Sequence, residues 1–416
     1  MTTEIPDVSS LDLASYIRPG DLVVWGQGCA EPLTLTEALA AQRSRLGGVR
    51  CFTGVSSSAA VRPECCDYLT FISYSGAAAN RALAAAGALR ILPSHYSDLP
   101  RLLSSGPLAA DVLFLSLPPP APDGSFGLGA GADYTATLIG RARTVIAEVN
   151  DQMPDVAGDR RLRRGEIDVL VPGSRPPAGY PQPPGRGTED AIAGHVAALV
   201  PDGATIQLGI GAIPSAVASR LRGHRDLGIH SGVITDAVAE LIEAGVVTGA
   251  RKSTDAGLTV TGFLLGTRRL LDLAAADRSV QLRDTRYTHD PAVLAAQHRL
   301  VAINSALEVD LTGQVNAETA AGRYVGAVGG ATDFLRGAAR SDGGVPVIAL
   351  PATAGAASRI VARLSGPASQ SRADAGVIVT EYGSADLRGR TLAQRRERML
   401  AIAHPDYRQA LEKECQ

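Results

Sequence analysis

Five short apolar runs constrain this chain more than anything else in it: VLFLSL (112–117), TVIAEV (144–149), RLVAIN (299–304), VPVIAL (345–350) and GVIVTE (376–381). Each has the length of one strand, and none shows the steady apolar–polar alternation of a strand with one wet face. Helical patterns such as AVASRL and AVAELIEAG lie between some of them. A strand that is apolar on both faces must be covered on both. A mostly parallel sheet with helices on either side does this, so the chain reads as α/β. In such sheets ligands lie beyond the carboxyl ends of the strands, so the turns after strands are the places to look for function.

A chain of 416 residues is too long for one ordinary core. The stretch VPGSRPPAGYPQPPGRGTED (171–190) is dense in Pro and Gly and lacks hydrophobic periodicity. It reads as an interdomain linker, giving an N-terminal domain over 1–180 and a C-terminal one over 181–416. The halves echo each other. PGDLVVWGQGCAEPLTLTEAL (19–39) runs turn, apolar strand, Gly26-x-Gly28, Pro32 and helix; PDGATIQLGIGAIPSAVASRL (201–221) repeats that order with Gly209-x-Gly211 and Pro214. One repeat at this distance indicates two related domains rather than a solenoid.

Composition narrows the function classes. A formal net charge of −2 and 4% aromatic residues give no basis for nucleic-acid binding. No apolar run is long enough to span a bilayer, and the acidic start MTTEIPDVSSLDLASY is unlike a signal peptide, so a cytoplasmic protein without a membrane partner is expected. Five irregularly placed cysteines (Cys29, Cys51, Cys65, Cys66, Cys415) suggest neither a disulfide framework nor a zinc site. Only Lys252 and Lys413 are lysines, which disfavours a Schiff-base mechanism.

Several turns could carry chemistry. Gly209-Ile210-Gly211 follows a strand and precedes a helix, where backbone N–H groups can face negative charge; a tight turn with no ligand explains it equally well. Pro214 holds the last position of what would be G-x-G-x-x-G, so no nicotinamide cofactor is expected. The glycines at 326 and 329–330 are dense enough to let a ligand or another backbone pass close by, although a plain turn also accounts for them. Asn316 and Glu318 just upstream add polar groups among apolar strands. LGIHSGVITDAVAEL (227–241) reads as a short strand, a glycine turn at His230-Ser231-Gly232, and a helix begun by Asp236. A histidine there is commonly a satisfied core residue, and Asp236 is explained by the first turn of its helix. Cys29 precedes a helix, which lowers a thiol's pKa, although a small packing residue fits the same place.

In order along the chain, IAEVNDQMP (147–154), LGIGAIPSAV (208–217), DLGIHSGVITDAVAELIEAGVVT (226–248), INSALEVDLTGQVNAE (303–318), GGATDFLRGA (329–338), VTEYGSADLRGRTL (379–392) and IAHPDYR (402–408) resemble the acetyl-CoA hydrolase/transferase family. The likeness is greatest to its 4-hydroxybutyrate and butyrate CoA-transferase branch and spans nearly the whole chain. The resemblance implies two related CoA-transferase-type α/β domains, each a mostly parallel sheet flanked by helices, with the active site in the cleft between them, in a homodimer. It implies coenzyme A thioesters as substrates, with no metal. Members of the family use a glutamate carboxylate that attacks the thioester and then carries CoA itself.

That glutamate falls two residues after the His of the GIH segment, and here the position is Gly232. Flanking residues align without a gap, so a register error does not explain it. Two further departures accompany it: Ala331 where the branch carries Gln, and Ala373 where it carries His. Carried over position by position, Gly329, Gly330 and Ala331 resemble part of the acyl-CoA site. Asn316 resembles a polar contact to the acyl or carboxylate group. Gly26 and Gly28 with Gln27 resemble the first-domain wall, Gln27 being a possible oxyanion donor, and His230 is a possible assisting group. The expectation is an acyl-CoA-dependent enzyme without a glutamyl intermediate, in which the missing side chain leaves room for an acceptor beside the thioester. Hydrolysis and acyl-CoA binding without turnover are the alternatives.

Overall fold

The structure, a computed structural model, describes residues 2–183 and 187–414. The chain forms two compact units, one of residues 1–181 with 260–288, the other of 182–259 with 289–416.

The first unit is built on eight strands: β1 Thr3–Glu4, β2 Leu22–Trp25, β3 Val49–Phe52, β4 Leu69–Ser73, β5 Leu89–Ile91, β6 Val112–Leu117, β7 Thr144–Asn150 and β8 Val169–Gly173. They run in the order β1-β8-β7-β6-β2-β3-β4-β5, and every neighbouring pair is parallel. The central strand β6 is buried at all six positions, as an apolar run without alternation requires. It pairs with β7 from Val112–Thr144 to Leu117–Val149. Helix Leu33–Gln42 packs Leu35 and Leu39 into a core that also holds Trp25, Phe71, Phe114 and Ile146.

Residues 260–288 belong to this unit, which departs from the contiguous division at 180/181. Their backbone is bonded into its loops: Leu264 N–H donates to Ala130 O at 2.9 Å and Leu282 N–H to Ala157 O at 2.8 Å. Such non-local pairing leaves no local signal. The Pro/Gly-rich stretch also differs at its ends. Val171–Gly173 complete β8 and a helix starts at Thr188; residues 184–186 lie outside the described residues.

The second unit contributes β9 Thr205–Leu208, β10 Gly228–Ile234, β11 Leu300–Ser305, β12 Val345–Ala349, β13 Val377–Thr380 and β14 Gly383–Asp386, in the order β10-β9-β11-β12-β13-β14. All are parallel except the closing hairpin β13–β14. Ile348, Ile378, Leu335 and Met399 share one core cluster, while Phe334, Leu294 and Ala302 form a smaller one. All five apolar runs are thus strands of mostly parallel sheets. Lys252 is buried, and its ammonium donates to Ile229 O at 3.0 Å and Leu258 O at 2.9 Å, fixing β10 from beside. Cys29, Cys51, Cys65 and Cys66 are unbridged, and Cys415 lies outside the described residues. Among those residues no helix is long and apolar enough to cross a membrane.

Candidate functional site around Gly232

Gly232 lies inside β10, not in a turn; the helix Asp236–Glu243 starts only after Thr235. Its φ is outside the left-handed region, so the backbone does not demand glycine. The neighbourhood does. A Cβ built on Gly232 would lie 2.7 Å from His289 Cε1 and 3.0 Å from His289 Nε2, with Phe334 Cε2 next at 3.8 Å. The room expected beside the missing side chain is therefore taken, at its root, by an imidazole.

His289 is 3% exposed and meets Phe334 edge to face. Burial, together with His230 nearby, pushes its pKa down to about 3, so the ring is neutral at physiological pH. Side chains two apart on a strand share a face, which sets His230 and position 232 on the same side of β10, while Ser231 turns the other way and donates to Val233 O at 2.7 Å. His230 is fully buried, with Nδ1 3.3 Å from Gln297 Nε2, and that amide also donates to Thr254 Oγ1 at 2.5 Å.

Phe334 connects this group to another sequence-predicted feature. It sits in the first turn of helix Ala331–Arg340, which opens directly after Gly329 and Gly330. Gly329 takes φ +55°, a conformation that L side chains rarely adopt, and Gly330 caps the helix with no side chain. The Gly326 region and the Asn316 segment are also joined, through Gly326 N–H to Glu318 O at 3.0 Å and Ala327 N–H to Ala317 O at 3.1 Å. Asn316 itself is committed internally. Its amide donates to Glu308 Oε1 and Thr319 O, and its Oδ1 accepts from the N–H groups of Glu318 and Thr319. It organises this loop and keeps no polar atom back for a substrate.

In the first unit, Gly28 takes φ +58°, and a Cβ there would lie 2.8 Å from Leu264 O; at Gly26 it would lie 2.8 Å from Ala30 O. Both glycines are required by close backbone packing. Gln27 is buried and makes four hydrogen bonds: Oε1 accepts from Val55 N–H (2.9 Å) and Tyr74 OH (2.8 Å), and Nε2 donates to Tyr96 OH (2.5 Å) and Asp133 Oδ2 (3.1 Å). Cys29 is fully buried against Gly266, with both backbone contacts at 3.5 Å. Two carboxyls here went unnoticed in the sequence. Burial raises Glu31 to about 7 against the pull of Trp25, Ser56 and Ser57, and Asp133 to about 6. In the second unit His289 went unnoticed too. Its local sequence, THDPAV, signals only a helix start, and Asp290 does cap helix Pro291–Ala296.

The N-terminal domain of acetyl-CoA hydrolase/transferase matches residues 7–175, and the C-terminal domain of the same family matches 266–415. A 4-hydroxybutyrate coenzyme A transferase of Clostridium kluyveri is 40% identical over 324 residues, covering 77% of this chain and 75% of the relative. A succinyl-CoA:cyclohexane-1-carboxylate CoA transferase of Geobacter metallireducens is 33% identical over 415 residues, 96% of this chain and 92% of that one. The crystal structure of RipA from Yersinia pestis superposes with a TM-score of 0.91 at 34% identity, covering 96% of this chain and 94% of RipA. The chain belongs to the acetyl-CoA hydrolase/transferase family.

Proposed function

We propose that the protein is an acyl-CoA-dependent enzyme that transfers the acyl group directly to a small-molecule acceptor, with no covalent glutamyl intermediate. The observation that carries this reading is position 232. It is a glycine where the family resemblance puts the nucleophilic glutamate, and the His289 ring lies against it. In the proposed step an acceptor N–H or O–H group attacks the thioester carbonyl. The new acyl bond forms, the carbon–sulfur bond breaks, and CoA leaves as a thiolate that takes up the acceptor's proton. Since the amides of Gln27 and Asn316 are spent on internal bonds, backbone N–H groups are the better candidates for holding the oxyanion. We assign the acyl-CoA contact in the second unit to Gly329, Gly330 and Ala331, with His230 and Gly232 lining the reacting end.

The test is incubation with a panel of acyl-CoAs, with and without amine, hydroxyl and carboxylate acceptors, reading free thiol with DTNB and products by mass spectrometry. Acceptor-dependent CoA release with an acylated product is expected. Rapid appearance of CoA on isotope-labelled acetate would overturn the reading in favour of ordinary CoA transfer. Tight acyl-CoA binding by calorimetry without turnover would overturn it in favour of a binding protein. Hydrolysis is the second reading, favoured by a family description that pairs hydrolase with transferase; it predicts CoA release that no acceptor accelerates.

A further inference from the structure

We propose that His289 is the specificity-determining residue of this site: its imidazole takes the side-chain volume of position 232 and so closes the chain to covalent carboxylate chemistry. The proposal rests on reading position 232 as the place of the family's nucleophile.

The argument begins with the backbone. Gly232 is in a strand, at a φ open to any residue, where glycine costs about 0.5–1 kcal/mol of chain entropy. Nothing in the main chain accounts for it. The ring does, because carbon atoms in contact stay about 3.5–4.0 Å apart, and the root of any side chain at 232 would stand 2.7 Å from Cε1.

The ring is not placed to give way. Phe334 covers it at a centroid distance of 4.8 Å. Directly after it the backbone is held by Asp290, whose Oδ1 accepts from Ala292 N–H at 2.8 Å and Val293 N–H at 2.9 Å, with Pro291 fixing the first helical φ. His230 stands on the same face of β10, two residues from the glycine. The histidine and the glycine therefore form a reciprocal pair. Restoring a carboxylate at 232 requires shortening residue 289 as well.

Two measurements test this. In urea unfolding, Gly232→Ala is compared in the native background and in His289→Asn, which deletes the two ring atoms nearest the glycine; His289→Ala serves if the Asn variant does not fold. The alanine should lower the midpoint in the native background and leave it unchanged or raise it in the shortened one. An equal cost in both overturns the proposal. In the second measurement, Gly232→Glu and Gly232→Glu/His289→Asn are incubated with acetyl-CoA and analysed as intact protein. In the double variant the carboxylate should displace CoA thiolate from the acetyl carbon. The thiolate should then attack the glutamyl carbonyl and expel acetate, leaving CoA joined to residue 232. An adduct of equal yield in the single variant also overturns the proposal. Coupling in the unfolding cycle with no adduct in the double variant overturns the functional reading of position 232, while the packing relation stands.

Discussion

The ring of His289 meets that of Phe334 at 65°, with centroids 4.8 Å apart, and this contact helps to keep the imidazole dry and neutral. Phe334→Ala should cost roughly 3–5 kcal/mol of stability by leaving a cavity. It should also raise the His289 pKa from about 3 toward the ordinary 6.5, as water reaches the ring. The linkage sign follows. The unfolded chain takes a proton near 6.5 that the native ring refuses until about 3, so this group erodes stability as pH falls through that window, and the variant should narrow it. NMR titration of the imidazole checks this; an unmoved pKa would show that Phe334 is not the shield.

Glu31 acts in the opposite sense. Its carboxylate is buried beneath Trp25 and Ser56–Ser58, and its pKa of about 7 lies above the ordinary 4.5. A raised carboxyl pKa means that the native state holds a proton the unfolded chain has already lost. The contribution is complete below 4.5 and disappears as pH rises through 7. Relative to Glu31→Gln, the native protein should therefore lose up to about 3 kcal/mol between pH 4.5 and 7.5. Urea melts of both proteins at pH 5 and pH 8 read this directly. A constant difference would mean that the surrounding donors keep the carboxylate ionised throughout.

Lys252 is a structural cation, bonded to the carbonyls of Ile229 and Leu258 with its stem against Gly228. Lys252→Met retains the stem and removes the donors. It should lower stability by about 2–4 kcal/mol, since buried carbonyls lose charged partners. Chemical denaturation gives the value, and a change below about 0.5 kcal/mol would contradict the assignment.

Gln27 separates scaffold from catalyst. Gln27→Leu withdraws four hydrogen bonds from a buried cluster and should cost about 2–4 kcal/mol. Turnover per folded molecule should stay within about two-fold, whereas loss of an oxyanion donor lowers kcat by about 10²–10³. Active-site titration alongside the rate distinguishes the two.

The strands were legible because burial on both faces writes an unbroken apolar run, as in VLFLSL, whose six residues are all buried. The glycine at 232 was legible only against the family, since nothing in HSGV distinguishes a turn from a strand, and the structure makes it a strand. His289 was not legible at all. Its importance comes from a tertiary meeting with a strand far back in the chain, and the residues beside it advertise only a helix cap. Gln27 and Asn316 show the converse limit: amides in glycine-rich turns suggested ligand contacts, and only their bonding partners reveal that they are spent on the protein itself.

The return of residues 260–288 to the first unit has a consequence for biosynthesis. The two compact units cannot be separated by one cut, because the polypeptide passes between them at 181/182, 259/260 and 288/289. On the ribosome the amino-terminal unit must wait with the backbone at 130–133 and 157–158 unpaired until residue 288 emerges, roughly 5–20 s after residue 181 at ordinary translation speeds. During that interval the nascent chain exposes unfinished edges, so chaperone dependence should fall on the first half of the protein while the second half is being made.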